Sequence, residues 1–104
     1  MKMSNDITQK DIIDKLVHEP ARLMLMLHLY AADSADFIYL MHRTGLSRGN
    51  LSSHMSKLED AGYLMVEKKF VDKIPCTLLS LSEKGRLAFK KYKATMIDIL
   101  SQVD

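Results

Sequence analysis

Residues that break or cross-link a chain are scarce in this sequence. Its 104 residues include one cysteine, two prolines, four glycines and no tryptophan. A single cysteine, Cys76, excludes an intrachain disulfide, which fits a protein of the reducing cytoplasm. No apolar run approaches the roughly 20 residues that a membrane-spanning helix needs. We therefore expect a cytoplasmic domain with no membrane partner.

Charge is unevenly distributed, although the net charge is only +2. Residues 1–45 contain five basic and six acidic side chains, whereas residues 46–104 contain ten basic and seven acidic ones. A local excess of positive charge is what a surface that binds a polyanion requires. The second half of the chain is the better candidate for such a surface, and an ordinary solvated surface is the alternative.

Apolar periodicity and capping residues predict five helices and one strand hairpin in a single domain of residues 1–104. The predicted helices run from a cap at Asn5 or Asp6 to about Val17, from Pro20 to Ala31, from a cap at Ser34 to Gly45, from Arg48 to Ala61 and, after a cap at Ser82, from Glu83 to about Gln102. Alternating apolar residues between positions 64 and 81 predict the two strands, joined by a loop that Asp72 and Pro75 favour. The predicted class is mainly α with a small β-hairpin, in the order α-α-α-α-β-β-α.

Two short helices joined by a glycine turn and followed by a hairpin are typical of a winged helix-turn-helix. The segment LMHRTGLSRGNLSSHMSKLEDAGYLMVEKKF resembles the recognition segment of winged-helix transcriptional regulators of the MarR and ArsR type. The following TLLSLSEKGRLAF is similar to the strand-into-helix signature of the same superfamily. The resemblance covers residues 37–89. It implies a DNA-binding regulator in which helix 48–61 enters the major groove and the wing, residues 68–76, lies on the backbone of double-stranded DNA.

The predicted recognition helix supports that role through its own pattern. At 100° per residue, Leu51, Met55 and Leu58 fall on one face, which would pack inward. Small or polar side chains elsewhere on the helix could approach base edges, and the backbone N–H groups at its start could bind phosphate. The DNA-binding residues predicted here are Ser47, Arg48, Gly49, Asn50, Ser52, Ser53, Ser56 and Lys57. A merely solvated helix face is the alternative.

The hairpin is the second candidate surface. Lys69 and Lys73, together with Lys68, would surround its tip, where such a wing contacts phosphates or the minor groove. Asp72 at the tip weakens the case for deep insertion into the minor groove. A loop with ordinary charges is the alternative interpretation.

Residues suited to other chemistry are few. His54 is interpreted as a packing or helix-to-helix hydrogen-bonding residue, with a phosphate contact as the alternative. Cys76 is interpreted as a small buried residue and not as an oxidant sensor. The sequence contains no CxxC or HExxH motif, no Gly-rich phosphate loop and no Ser–His–acid set. We therefore predict no metal site, no cofactor and no enzyme activity.

The last helix carries an apolar seam suited to pairing with a second copy of the chain. The seam recurs at intervals of three and four residues and consists of Phe89, Tyr92, Met96, Ile99 and Val103. We predict that the terminal helices, residues 1–17 and 83–104, form a homodimer, which would place two recognition helices about 34–36 Å apart. Packing of the seam onto the protein's own core is the alternative.

Two other functions remain open at this stage. A winged helix can bind protein instead of DNA, since the fold hosts both functions. A cleft between terminal helices could also hold a small-molecule effector, although the sequence brings no polar groups together there. A salt-dependent shift of labelled DNA separates DNA binding from protein binding.

Overall fold

The structure is a computed structural model, and it describes residues 12–103. In chain order its elements are α1 (Pro20–Ala31), β1 (Ala35–Asp36), α2 (Phe37–Thr44), α3 (Arg48–Asp60), β2 (Leu64–Val71), β3 (Ile74–Leu81) and α4 (Glu83–Leu100). The predicted class, a mainly α winged helix-turn-helix with a β-hairpin, is confirmed. Within these residues no helix is long and apolar enough to cross a membrane.

The first predicted helix lies mainly outside the described residues, but its predicted end at Val17 is wrong. Ile12 is helical, whereas residues 13–19 form bends and turns. The Asp14 carboxylate accepts hydrogen bonds from the backbone N–H groups of Leu16, at 2.9 Å, and Val17, at 3.2 Å. Such bonds between a side chain and the nearby backbone compete with helical bonding and favour a turn.

Among the described residues the helix starts follow the predicted caps with one exception, and the first predicted cap, Asn5 or Asp6, lies outside them. The hydroxyls of Ser47 and Ser82 each accept the backbone N–H three residues on, at 3.2 and 2.9 Å, and Pro20 begins α1, as predicted. The predicted cap Ser34 is wrong, because the carboxylate of Asp36 caps α2 instead. Residues 35 and 36 pair with β3 as a short third strand, so the helix begins later than its sequence pattern indicates.

The sheet is antiparallel with strand order β1-β3-β2, so the wing is a hairpin whose inner strand is β3. Its turn consists of Asp72 and Lys73, with φ values of 54° and 68°. Positive φ at both central residues is what a two-residue type I′ turn requires, and aspartate tolerates that conformation. The loop is therefore shorter than predicted, and Pro75 lies within β3, opposite Phe70.

The core forms around α1, which is the central helix that its apolar sequence predicts. This helix contacts α2, α3, α4 and β3. Buried apolar side chains come from every helix and from both strands of the hairpin: Val17, Leu25, Met26, Leu29, Phe37, Leu40, Leu51, Leu58, Leu64, Leu79, Leu81, Phe89 and Tyr92. Both helices of the helix-turn-helix are thus held on a single core, which fixes α3 relative to the wing.

A close backbone contact joins the end of α3 to the start of α4. A Cβ on Gly85 would lie 2.1 Å from the carbonyl oxygen of Tyr63, so no larger residue fits without a backbone shift. The Tyr63 carbonyl accepts the backbone N–H of Ser82 at 3.0 Å, and the Ser82 hydroxyl donates to the Gly62 carbonyl at 2.5 Å. This junction links the end of α3 and the start of the wing to the start of α4.

Candidate nucleic-acid interface

Helix α3 presents a polar outer face because its apolar face is anchored in the core. Leu51 and Leu58 are fully buried and Met55 is half-buried, as predicted. Of the DNA-binding residues predicted on this helix and at its cap, Ser52 is half-buried and the others are exposed: Ser47, Arg48, Gly49, Asn50, Ser53, Ser56 and Lys57. The structure therefore brings the predicted residues of α3 to one accessible surface.

Gly49 lies on that surface, and no contact within the described residues requires a glycine at this position. A Cβ added at this position would meet nothing within 4 Å, and its φ is not positive. Glycine weakens a helix relative to alanine, so an unconstrained glycine there lowers helix stability without relieving a clash. The missing side chain leaves the first turn of α3 open to close approach by a ligand.

Two side chains at the start of α3 form contacts with neighbouring groups. The Ser47 hydroxyl is engaged as the helix cap, and the Arg48 guanidinium lies over the Phe37 ring, 5.6 Å from its centroid. The first backbone N–H groups of a helix lack acceptors within it and can bind an anion. Arg48 adds a positive charge beside those groups.

His54 joins the recognition helix to the central helix. Its Nδ1 lies 3.2 Å from Nη1 of Arg22 and 3.8 Å from Oε1 of Glu19. A guanidinium can only donate, so Nδ1 accepts and the proton of the ring sits on Nε2. The Arg22 Nε also donates to the Leu16 carbonyl at 2.6 Å. The interpretation of His54 as a helix-to-helix hydrogen-bonding residue is confirmed.

The wing carries its predicted lysines on exposed positions. Lys68 and Lys69 lie on β2 and Lys73 lies in the turn, all three exposed. Sequence reasoning missed the apolar character of the same region, since Phe70, Val71, Ile74 and Pro75 are exposed as well. The sequence indicates this apolar character where two apolar pairs, Phe70-Val71 and Ile74-Pro75, interrupt a lysine-rich segment.

Cys76 is half-buried on the wing and its thiol donates to Oδ1 of Asp36 at 3.2 Å. This hydrogen bond is the main cause that raises the pKa of the Cys76 thiol above its usual value. A raised pKa disfavours the thiolate, the reactive form of cysteine. In the part of the chain that the structure describes, no three His, Cys, Asp or Glu side chains are grouped to hold a metal ion.

The seam of the last helix is divided by the fold. Phe89 and Tyr92 are each only 7% exposed, because they pack in the core of the single chain, with the Phe89 ring 5.1 Å from Tyr30. Little of their surface is therefore left for a partner in the single chain, and their role as subunit-interface residues stays a prediction. Met96 and Ile99 are half-buried and Val103 is exposed.

Other exposed apolar residues form a groove beside the seam. Ile97 is 58% exposed and Leu100 is 60% exposed on α4, and Leu27 of α1 is exposed next to them. They line a groove of about 420 Å³ between the two helices, together with Tyr30, Phe89, Tyr92, Met96 and one charged residue, Lys93. The accessible apolar surface of the last helix thus lies mainly on residues that the seam did not include.

Comparison with known proteins agrees with this architecture. A family model described as a winged helix DNA-binding domain matches residues 21–100. An uncharacterized protein of Methanocaldococcus jannaschii is 28% identical over 90 residues, which are 86% of this chain and 98% of that protein. The solved structure of a transcriptional regulator homologue from Pyrococcus horikoshii OT3 is 25% identical, with a TM-score of 0.83 over 88% of this chain and 90% of that one.

A more distant neighbour shares the fold. The apo form of MarR from E. coli is 13% identical, with a TM-score of 0.61 over 88% of this chain and 76% of that one. The prediction of a winged-helix DNA-binding domain is therefore confirmed, and the likeness to MarR shows that the fold is shared. Because the family model matches more than half of its residues, the chain belongs to the winged helix DNA-binding domain family.

Proposed function

We propose that the protein regulates transcription as a homodimer that binds double-stranded DNA sequence-specifically, with α3 in the major groove and the wing along the DNA backbone. The observation that carries the proposal is the outer face of α3, which combines exposed small and polar residues with an anchored inner face. A helix of this shape can lie deep enough in a major groove for side chains to reach base edges.

The residues of α3 divide into two roles by their chemistry. Asn50 and the serines 53 and 56 can exchange hydrogen bonds with base edges and so read sequence. Lys57 and the first-turn N–H groups bind phosphate and set the position of the helix without reading sequence. Lys69 and Lys73 extend the phosphate contacts along the wing. Gly49, which no internal contact requires, permits the close approach that base reading needs.

The apolar groove between α1 and α4 supports the dimer. Contiguous exposed apolar surface is uncommon on a small protein, and where it occurs it often marks an interface. Ile97 and Leu100 are more than half exposed, and Val103, just beyond the end of α4, is exposed as well. Pairing of this surface about a two-fold axis would present two copies of α3 to successive turns of DNA.

The test is selection of bound duplexes from a random pool, followed by titration of the selected duplex at several salt concentrations. We expect enrichment of a sequence with two-fold symmetry and binding that weakens as salt rises. Ser53→Glu, which places a negative charge on the outer face of α3, should abolish binding in a folded protein. The matched variant Ser34→Glu, at an exposed position outside the proposed DNA and dimer surfaces, should bind normally. Absence of salt-dependent binding by the wild type would favour a protein-binding winged helix instead.

A further inference from the structure

His54 lies between a cation and an anion at the start of α1. Its Nδ1 is 3.2 Å from Nη1 of Arg22 and 3.8 Å from Oε1 of Glu19. The side chain of His54 is only 18% exposed, and partly buried charges are screened by salt less than exposed ones. The guanidinium can only donate hydrogen bonds, whereas the carboxylate can only accept them. The ring therefore has one neighbour suited to its neutral form and another suited to its charged form.

The contact with Arg22 requires an unprotonated Nδ1. A guanidinium keeps its positive charge at every physiological pH and has no acceptor atom. When Nδ1 gains a proton, two positively charged donors face each other across 3.2 Å. Histidine is the side chain that ordinarily gains its charge between about pH 5 and 8. Acidification in this range is therefore suited to remove the contact between α1 and α3.

The Glu19 carboxylate is the acceptor available to the protonated ring. It already accepts the backbone N–H of Arg22 at 2.8 Å as the cap of α1. That hydrogen bond is the main cause that lowers the pKa of the Glu19 carboxyl, and the charges of His54 and Arg22 lower it as well. Glu19 thus remains an anion where histidine titrates. A movement of the ring by about 1 Å would shorten the 3.8 Å separation to the length of a charged hydrogen bond.

Other charged side chains lie away from the ring. Helix α3 packs against β2 as well as α1, and the charged side chains of β2 are all exposed: Glu67, Lys68 and Lys69. Lys57, one turn along α3 from His54, is exposed too. Within residues 12–103, the polar partners of the His54 ring are Arg22 and Glu19. These two groups therefore determine how α3 responds to the charge of His54.

A second histidine contact shows why the chemistry of the partner matters. Nδ1 of His18 lies 2.8 Å from the Tyr92 hydroxyl. A hydroxyl can donate or accept, so this hydrogen bond persists with its roles reversed when the ring is protonated. The partner of His54 cannot reverse its role in this way. Protonation therefore leaves the contact of His18 in place and exchanges that of His54.

We propose that protonation of His54 exchanges Arg22 for Glu19 as its partner, shifts α3 against α1 and so lowers the preference of the protein for its own DNA sequence in mildly acidic solution. This inference rests on the proposed function and adds regulation by pH to it. Arg22 stays in place during the exchange, because its Nε donates to the Leu16 carbonyl at 2.6 Å. Hydrogen bonds to base edges require a fixed helix orientation, whereas attraction to phosphates tolerates a shift. The preference for one sequence should therefore fall more than binding to DNA in general.

The experiment compares the wild type with His54→Asn at two pH values, about 8 and about 5.5, which bracket the titration of histidine. The asparagine side-chain oxygen can accept a hydrogen bond as Nδ1 does, but it does not titrate. The measured quantity is the ratio of affinities for the selected duplex and for a duplex of the same composition in scrambled order. This ratio cancels the general gain of positive charge in acid. His28→Asn is the matched control, since His28 lies beside Ala32 and Tyr39 on another surface.

We expect the ratio to fall about fivefold or more on acidification for the wild type and for His28→Asn, and to stay constant for His54→Asn. Glu19→Gln keeps an acceptor for the cap but removes the anion, so it should move the fall to lower pH. Nitrogen NMR of the histidine-labelled wild type without DNA should show Nδ1 of the neutral His54 ring unprotonated. Circular dichroism checks that each variant is folded. The Glu19→Gln and NMR measurements test the inference even if His54→Asn does not fold.

Three results would overturn the inference while leaving the proposed function intact. The first is a wild-type ratio that is the same at both pH values. The second is an equal fall in the folded His54→Asn variant. The third is a neutral His54 ring that carries its proton on Nδ1. Failure of the wild type to bind any duplex would instead contradict the proposed function and this inference together.

Discussion

Arg22 and His54 join the central helix to the recognition helix through a 3.2 Å contact between Nη1 and Nδ1. The residues are 32 positions apart in the chain, and the contact orients α3 from its inner side. The orientation of the exposed residues of α3 therefore depends partly on a polar contact on its inner side.

His54→Ala should lower the free energy of unfolding by about 1–2 kcal/mol, because a half-buried guanidinium donor loses its acceptor. Urea denaturation followed by circular dichroism measures the change. Ser53→Ala, the exposed neighbour on the same helix, should lie within about 0.5 kcal/mol of the wild type. Equal stability of the two variants would mean that the contact contributes nothing.

Gly85→Ala should lower the free energy of unfolding by about 2–3 kcal/mol, since the new Cβ would lie 2.1 Å from the Tyr63 carbonyl oxygen, which cannot move without its backbone. Gly49→Ala is the matched substitution in open space, and it should leave stability unchanged or slightly higher. Thermal unfolding of both variants tests the pair. A Gly85→Ala protein as stable as Gly49→Ala would refute the close contact.

Lys57→Ala and Lys73→Ala should each weaken binding to all duplexes alike and reduce the slope of log affinity against log salt by about one unit. The reason is that each lysine is proposed to neutralise one phosphate and release its counterions. Lys91→Ala, an exposed lysine on α4, is the control and should keep the wild-type slope. An unchanged slope for Lys73→Ala would remove the wing from the phosphate contacts.

Ile97→Glu should halve the particle mass in light scattering at micromolar concentration, because an unpaired charge is disfavoured in an apolar contact. Because Ile97 is exposed in the single chain, the variant protein should still fold. The substitution should also abolish binding to a duplex with two half-sites. Lys91→Glu, on a different side of α4, should remain dimeric. A wild type that is already monomeric would contradict the proposed dimer.

The free energy of unfolding should fall in alkaline solution because the Tyr63 hydroxyl ionises less readily in the folded protein than in the unfolded chain. Its hydroxyl donates to Oδ2 of Asp14 at 2.6 Å, and burial, together with this bond, raises its pKa to about 12. In the unfolded chain the pKa is near 10, so this contribution to stability is complete below about pH 10 and is lost as the pH rises toward 12. Tyr63→Phe should flatten that part of the profile, whereas Tyr39→Phe, on an exposed residue, should leave it unchanged.

Several features of the site could be predicted from the sequence because local rules govern them. A serine cap acts on N–H groups three residues away, so Ser47 and Ser82 were identifiable from their neighbours. Helical periodicity placed Leu51 and Leu58 inside and left the polar residues of α3 outside. The alternation of the hairpin predicted its strands in the same way.

Other features depend on residues that meet only in the folded chain. The two-residue strand β1 is too short to have a pattern and exists because β3 is beside it. Phe89 and Tyr92 have the spacing of an interface seam, but contacts with Tyr30 and His18 place them in the core. The wing tip is exposed because the register of the hairpin carries it past the core. Helical and strand periods thus determined which faces are apolar, whereas long-range packing decided which of those faces the protein buries itself and which it leaves exposed.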